Sequence, residues 1–79
     1  MSPEEIIKLL KAEISSETGI ALDEIDDDAS FFSLGLDSVS CVFVLDRVEK
    51  KLKVELNPMF FWDYPTVATF GAFLSTMTP

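Results

Sequence analysis

Apolar residues recur at helical spacing in several stretches of this chain, and the stretches between them differ in character. Ile6, Leu10 and Ile14 repeat every four residues with Ile7 on the same side, while Lys8, Lys11 and Glu13 fall on the side that stays in water. Residues 2–18 therefore read as a first helix. Ser2 suits its cap and Pro3 its first position, Glu5 completes a capping-box pattern, and Gly19 is a natural stop. A second helix is predicted from about Ser38 to Leu52. Cys41, Leu45, Val48 and Leu52 form its inward stripe with Val42 and Val44 flanking, and Val39, Phe43, Asp46 and Lys50 line up on the opposite, outward strip.

Beyond it, Val54 and Leu56 continue as a short extended crossing. Asn57-Pro58 caps a brief third helix made of Met59, Phe60, Phe61 and Trp62, which Asp63-Tyr64-Pro65 terminates. These rings either fill the core of a small bundle or line a groove beside the second helix. Thr66 caps a last helix with Val67, Phe70, Gly71 and Leu74 on one stripe and Phe73 beside it. A glycine inside a helix costs about 1 kcal/mol against alanine, so Gly71 is expected to mark close contact with another helix. Residues 76–79 are expected to fray.

The connection from residue 19 to residue 36 is long for a small domain, and such loops are usually functional or internally packed. Ile20, Leu22, Ile25, Phe31, Phe32, Leu34 and Leu36 supply anchors for it, with a short turn expected at Asp23-Glu24-Ile25. The run Asp26-Asp27-Asp28 invites a calcium reading, since Asp26, Asp28 and Ser30 match the first oxygen positions of an EF-hand loop. Phe31 then stands where glycine is required, and Asp37 where the bidentate glutamate belongs. A solvated acidic turn is the better reading. The whole pattern predicts an all-α fold, a small four-helix bundle with a long loop between the first and second helices and a short third helix.

Composition narrows the functional classes. With 79 residues there is room for one domain and one core, and a hydrophobic content of 48% argues for a globular fold. The net charge of −8 disfavours nucleic acid and anionic membranes and favours partners with basic patches. It also implies self-repulsion, so salt or divalent cations are expected to raise the melting temperature; a flat response to calcium and magnesium would contradict this. A single cysteine, Cys41, allows no internal disulfide and leaves no metal-ligand spacing. No apolar stretch approaches the ~20 residues of a membrane span, and a reducing, cytoplasmic setting is expected. Lys50, Lys51 and Lys53 cluster where cations favour the C-terminal end of the second helix.

The chemistry-bearing stretch is Leu34-Gly35-Leu36-Asp37-Ser38-Val39. Gly35 is free to take positive φ, Asp37 is a strong N-cap, and Ser38 falls in the first helical turn. A phosphate attached to that hydroxyl would sit at the positive end of the helix dipole, a benefit of about 0.3–1 kcal/mol, enough to orient a phosphodiester but not to do chemistry. A hydrolase elbow would need glycine at 36 and 40, where Leu36 and Ser40 stand, and a Ser-His-acid system needs a histidine, of which there is none.

Together with the later Asp63-Tyr64-Pro65-Thr66, the Leu-Gly-Leu-Asp-Ser string resembles the acyl carrier protein family, and the layout of elements extends the resemblance over nearly the whole chain. Leu36 in place of a second glycine is more similar to polyketide-synthase-type acyl carriers than to peptidyl carriers. The resemblance implies that Ser38 receives 4′-phosphopantetheine from coenzyme A through a separate, magnesium-dependent phosphopantetheinyl transferase. It implies a monomeric, non-catalytic carrier of acyl thioesters for fatty acid, polyketide or related lipid synthesis, meeting an acyltransferase, a ketosynthase or other biosynthetic enzymes. Val39, with Ser40-Cys41-Val42 after it, departs from the leucine or methionine common after the modified serine and bears on which transferase recognises the chain. Val39 and Phe43, ringed by Asp37, Asp46 and Glu49, form a candidate docking patch, unless a neighbouring loop buries Phe43. Residues 1–79 are expected to form one such domain, and Met1 with the Ser2-Pro3 cap leans towards a free-standing protein. A peptidyl or aminoacyl carrier and an unmodified acidic helical interaction module are the alternatives.

Overall fold

Ser2 opens the first helix as the pattern requires: its hydroxyl accepts from the Glu5 N–H and the Glu5 carboxylate accepts from the Ser2 N–H, both at 3.2 Å. In the computed structural model, which describes residues 2–78, this helix, α1, spans Pro3–Thr18. Gly19 closes it in the left-handed conformation at φ 81°. A single 3-10 turn, Leu22–Glu24, follows in the long loop; α2 spans Ser38–Leu52, α3 is one turn at Phe60–Asp63, and α4 spans Val67–Met77. Among the described residues the fold is all-α, as expected, apart from one isolated bridge between Ser30 and Thr66.

The core runs along α1. Ile6, Leu10 and Ile14 are fully buried against α4 and α2, which supply Val67, Phe70 and Leu74 on one side and Val44, Leu45 and Val48 on the other. Gly71 lets α4 approach α1 closely: a Cβ there would come within 2.6 Å of Ile7 Cγ1. The loop is pinned from inside and from its backbone. Phe31 is fully buried, with the Phe61 ring 4.9 Å and the Phe70 ring 5.6 Å away, both edge-on. The Phe31 N–H donates to the Pro65 carbonyl, and the Val67 and Ala68 N–H groups donate to the Ala29 and Asp27 carbonyls.

Several expectations need correcting. Glu13 is not in water: it is 4% exposed, and its two oxygens accept from Arg47 Nε at 2.7 Å and Lys51 Nζ at 2.6 Å. Arg47 also reaches Glu17 at 3.0 Å, so a four-residue ion network closes the seam between α1 and α2. Lys51 is thus a cross-helix partner rather than only a dipole charge, and Lys53 takes the left-handed cap position itself, at φ 56°. Leu22 and Phe32 do not anchor the loop; both are exposed. Val42 faces solvent too, whereas Val44 is fully buried, because the inward face is centred one residue later than the stripe suggests. The last helix does not fray at 76–77: α4 continues to Met77, which packs on the core, and the Thr78 N–H donates to the Leu74 carbonyl. Pro79 and Met1 lie outside the described residues.

Candidate functional site

The turn that delivers Ser38 is built from two residue properties. Gly35 takes φ +86°, which turns the chain out of the Ser30–Gly35 bend, and Leu36 then drops into the core at 2% exposure. Asp37 follows in an extended conformation and caps α2 by accepting from the Ser40 N–H at 2.8 Å. With Leu36 fixed inward and Asp37 fixed as cap, Ser38 is the first helical residue and faces solvent.

The site holds no proton acceptor suited to activating that hydroxyl. The Ser40 N–H hydrogen bond is the main cause that holds the Asp37 carboxyl below its ordinary range, which makes it a poor base. Cys41, one turn along, is buried; that burial first, and the Asp37 charge second, push its thiol upward, so it stays protonated and unreactive. The arrangement suits an accessible hydroxyl at a helix start, where backbone N–H groups and the dipole favour a phosphodiester.

Beside Ser38 lies a cavity of about 120 Å³ lined by Phe32, Cys41, Val42, Pro58, Phe61 and Trp62. Phe32 and Trp62 form one of its walls as a pair, ring centroids 5.1 Å apart. An apolar cavity of ~150 Å³ accommodates benzene, so this one holds no more than a small group and cannot enclose a long chain. The aromatic run is therefore divided: Phe61 fills the core, Phe60 is half-buried against Phe73, and Trp62 is 65% exposed. Sequence reasoning did not associate Phe32, Val42 and Pro58 with Ser38. For Val42 the signal was present, because it stands one helical turn after Ser38; for Phe32 and Pro58 no period links loop residues to a helix.

The outward strip is as drawn from the sequence. Val39 is 60% and Phe43 52% exposed, so no neighbouring loop buries Phe43. Asp46 pairs with Lys50 at 3.1 Å on the same strip. Glu49 stands apart from the others: its carboxylate accepts from the Leu56 N–H at 2.9 Å and ties the segment after α2 back onto the helix. No helix among the described residues is long and apolar enough to cross a membrane.

The family model described as phosphopantetheine attachment site matches residues 8–74. Norsolorinic acid synthase of Dothistroma septosporum is 43% identical over 68 residues, 84% of this chain but 3% of that protein. Polyketide synthase PksN of Bacillus subtilis is 36% identical over 67 residues, 85% of this chain and 1% of that protein. The chain thus spans only a few per cent of the length of these curated relatives. Among solved structures, a free-standing peptidyl carrier protein from Acinetobacter baumannii superposes with a TM-score of 0.90 at 29% identity, covering 96% of this chain and 95% of that one. The HMG-ACPI domain from the CurA module of Lyngbya majuscula does so with a TM-score of 0.89 at 25% identity, covering 96% and 77%. A four-helix bundle that presents a serine after a Gly-Leu-Asp turn, matched over most of its length by that family model, belongs to the phosphopantetheine-attachment family of carrier domains, whose prosthetic group is covalently bound 4′-phosphopantetheine.

Proposed function

We propose that Ser38 is the attachment residue and that the chain works as one acyl-carrier domain in polyketide assembly. The observation that carries this reading is the exposed Ser38 hydroxyl at the first position of α2, capped by Asp37 and free of any catalytic partner. In the loading step the Ser38 oxygen attacks the β-phosphorus of coenzyme A. A new P–O bond forms, the bond to the bridging pyrophosphate oxygen breaks, and 3′,5′-adenosine diphosphate leaves; the serine proton goes to a base that this site lacks. A separate phosphopantetheinyl transferase, with magnesium, therefore supplies the catalysis. The attached arm contributes a thiol that holds acyl groups as thioesters.

The protein's own part is positioning. Gly35, Leu36 and Asp37 fix where the arm begins, and tethering raises the local concentration of cargo at successive enzymes. Val39 and Phe43 with Asp37, Asp46 and Glu49 form the surface on which the transferase, an acyltransferase or a ketosynthase docks. The carrier acts as a monomer in the cytoplasm, a setting in keeping with the free Cys41. The polyketide assignment follows the relatives of 43% and 36% identity; a peptidyl or aminoacyl cargo is the second reading, favoured by the likeness to the Acinetobacter baumannii structure.

The test uses coenzyme A bearing a fluorescent group on its thiol, with magnesium and a broad-specificity transferase. The parent and Ser40→Ala are expected to become labelled and Ser38→Ala to stay dark. Label on Ser38→Ala would overturn the assignment. Loading of the unlabelled holo protein by a malonyl-transferring acyltransferase, against an amino-acid-adenylating enzyme, separates the two cargoes.

A further inference from the structure

The charge of −8 is not spread evenly over this molecule. Along α2 and its cap, the acids Asp37, Asp46 and Glu49 are matched one for one by Arg47, Lys50 and Lys51. Those acids are also engaged already: Asp37 with the Ser40 N–H, Asp46 with Lys50, and Glu49 with the Leu56 N–H. The acidic loop is held elsewhere, with Asp27 paired to Lys11 on α1 and its carbonyl accepting from Ala68 at the start of α4.

What surrounds Ser38 is apolar instead. Val39, Val42 and Phe43 are all exposed, and the helical period places Val42 three residues and Phe43 four residues from Val39, on neighbouring positions of one face. Val42 also lines the cavity that holds Ser38, Phe32 and Trp62, and exposed Met59 lies one turn before Trp62. The result is a continuous collar of exposed apolar side chains around the serine. Any enzyme that brings a phosphorus atom to the Ser38 oxygen must cover that collar.

We propose that this carrier docks on its phosphopantetheinyl transferase mainly through apolar contact, the occupant being a mouth lined by aliphatic and aromatic side chains that seats Val39 and Phe43. The inference rests on Ser38 being the modified residue. Exposed ion pairs are weak and screened by salt, whereas burial of apolar groups is not weakened by it, so the acids here orient the complex while the collar supplies its affinity.

The test is steady-state modification of the apo protein by a broad-specificity phosphopantetheinyl transferase with coenzyme A and magnesium. Between about 20 and about 400 mM sodium chloride, where the screening length falls several-fold, the KM for the protein is expected to change less than about threefold. Phe43→Ser is expected to raise KM about tenfold or more with kcat held, and Leu22→Ser, an equally exposed leucine far along the loop, to change it less than about twofold. Circular dichroism checks that Phe43→Ser is folded; if it is not, Val39→Thr carries the same expectation. A KM that climbs tenfold with salt while Phe43→Ser and Val39→Thr behave as the parent overturns the proposal. So does a concentration-dependent dimer in sedimentation that Phe43→Ser abolishes, which would assign the collar to a second copy of the chain. A parent that takes no phosphopantetheine at all overturns the Ser38 reading itself, a result distinct from modification with salt-sensitive docking.

Discussion

The two faces of α2 have opposite fates. Its inward face places Cys41, Val44, Leu45, Val48 and Leu52 in the core, and Arg47 and Lys51 beside them clasp the buried Glu13 of α1. Its outward face leaves Val39, Val42 and Phe43 uncovered next to Ser38. Large apolar side chains in water do nothing for the stability of an isolated domain, and a domain this small has little core to spare. The difference teaches that one helix serves both ends: one side holds the bundle together, and the other is kept for whatever comes to the serine.

Substitutions on the two sides should therefore separate stability from modification. The largest effect is expected from the core that supports the site. Phe31→Ala removes a ring enclosed by Phe61 and Phe70, a loss of about 3–5 kcal/mol, comparable to the whole stability of a domain of this size. Urea denaturation should show it largely unfolded before any denaturant is added.

Next comes the ion network. Burial by itself pushes the Glu13 carboxyl up, but hydrogen bonds from Lys51 and Arg47 outweigh it and hold the group below its ordinary 4.5. A carboxyl lowered on folding contributes stability that is present above its unfolded value and is lost as pH falls through the folded one. Glu13→Gln should lower stability by about 1–3 kcal/mol at neutral pH, and the gap from the parent should close as pH drops below 4.5. A constant gap down to acid pH would mean that packing, not charge, is what the substitution disturbs.

A smaller effect is expected where α1 and α4 touch. Gly71→Ala gains about 1 kcal/mol in helix propensity but presses a methyl into Ile7, and overpacking costs about 1–3 kcal/mol, so thermal melting should show a modest net loss. The smallest effect sharpens the comparison most. Phe43→Ser, on the outward face, should leave the unfolding free energy within about 0.5 kcal/mol of the parent. A large loss would show that Phe43 belongs to the fold after all.

Much of this molecule was legible in its sequence because local rules fixed it. Ser2 with Glu5, Gly19, Asp37 and Thr66 each mark a helix end through a short-range hydrogen bond or a backbone angle, and each does so in the structure. Gly71 announced a close approach for the same reason, since nothing in a helix interior favours glycine otherwise. The failures share a cause as well. Glu13 reads as a solvated residue because its partners stand on another helix, Arg47 being 34 positions away, and no local pattern connects them. Leu22 and Phe32 read as anchors because a loop has no period to say which apolar residues turn inward. The site itself was visible as Ser38 with Asp37, Val39, Phe43, Asp46 and Glu49 around it. The cavity walled by Phe32 and Trp62 was not, since it exists only where the loop and α3 meet the start of α2.

The measurement that tests the account most directly is the intact mass of the protein after incubation with coenzyme A, magnesium and a broad-specificity phosphopantetheinyl transferase, followed by fragmentation to locate the added group. The account predicts a gain of one phosphopantetheine, carried on Ser38, and no gain in Ser38→Ala. A group carried on Ser30, Ser33 or Ser40, or no gain with several transferases while the protein is folded, would contradict it.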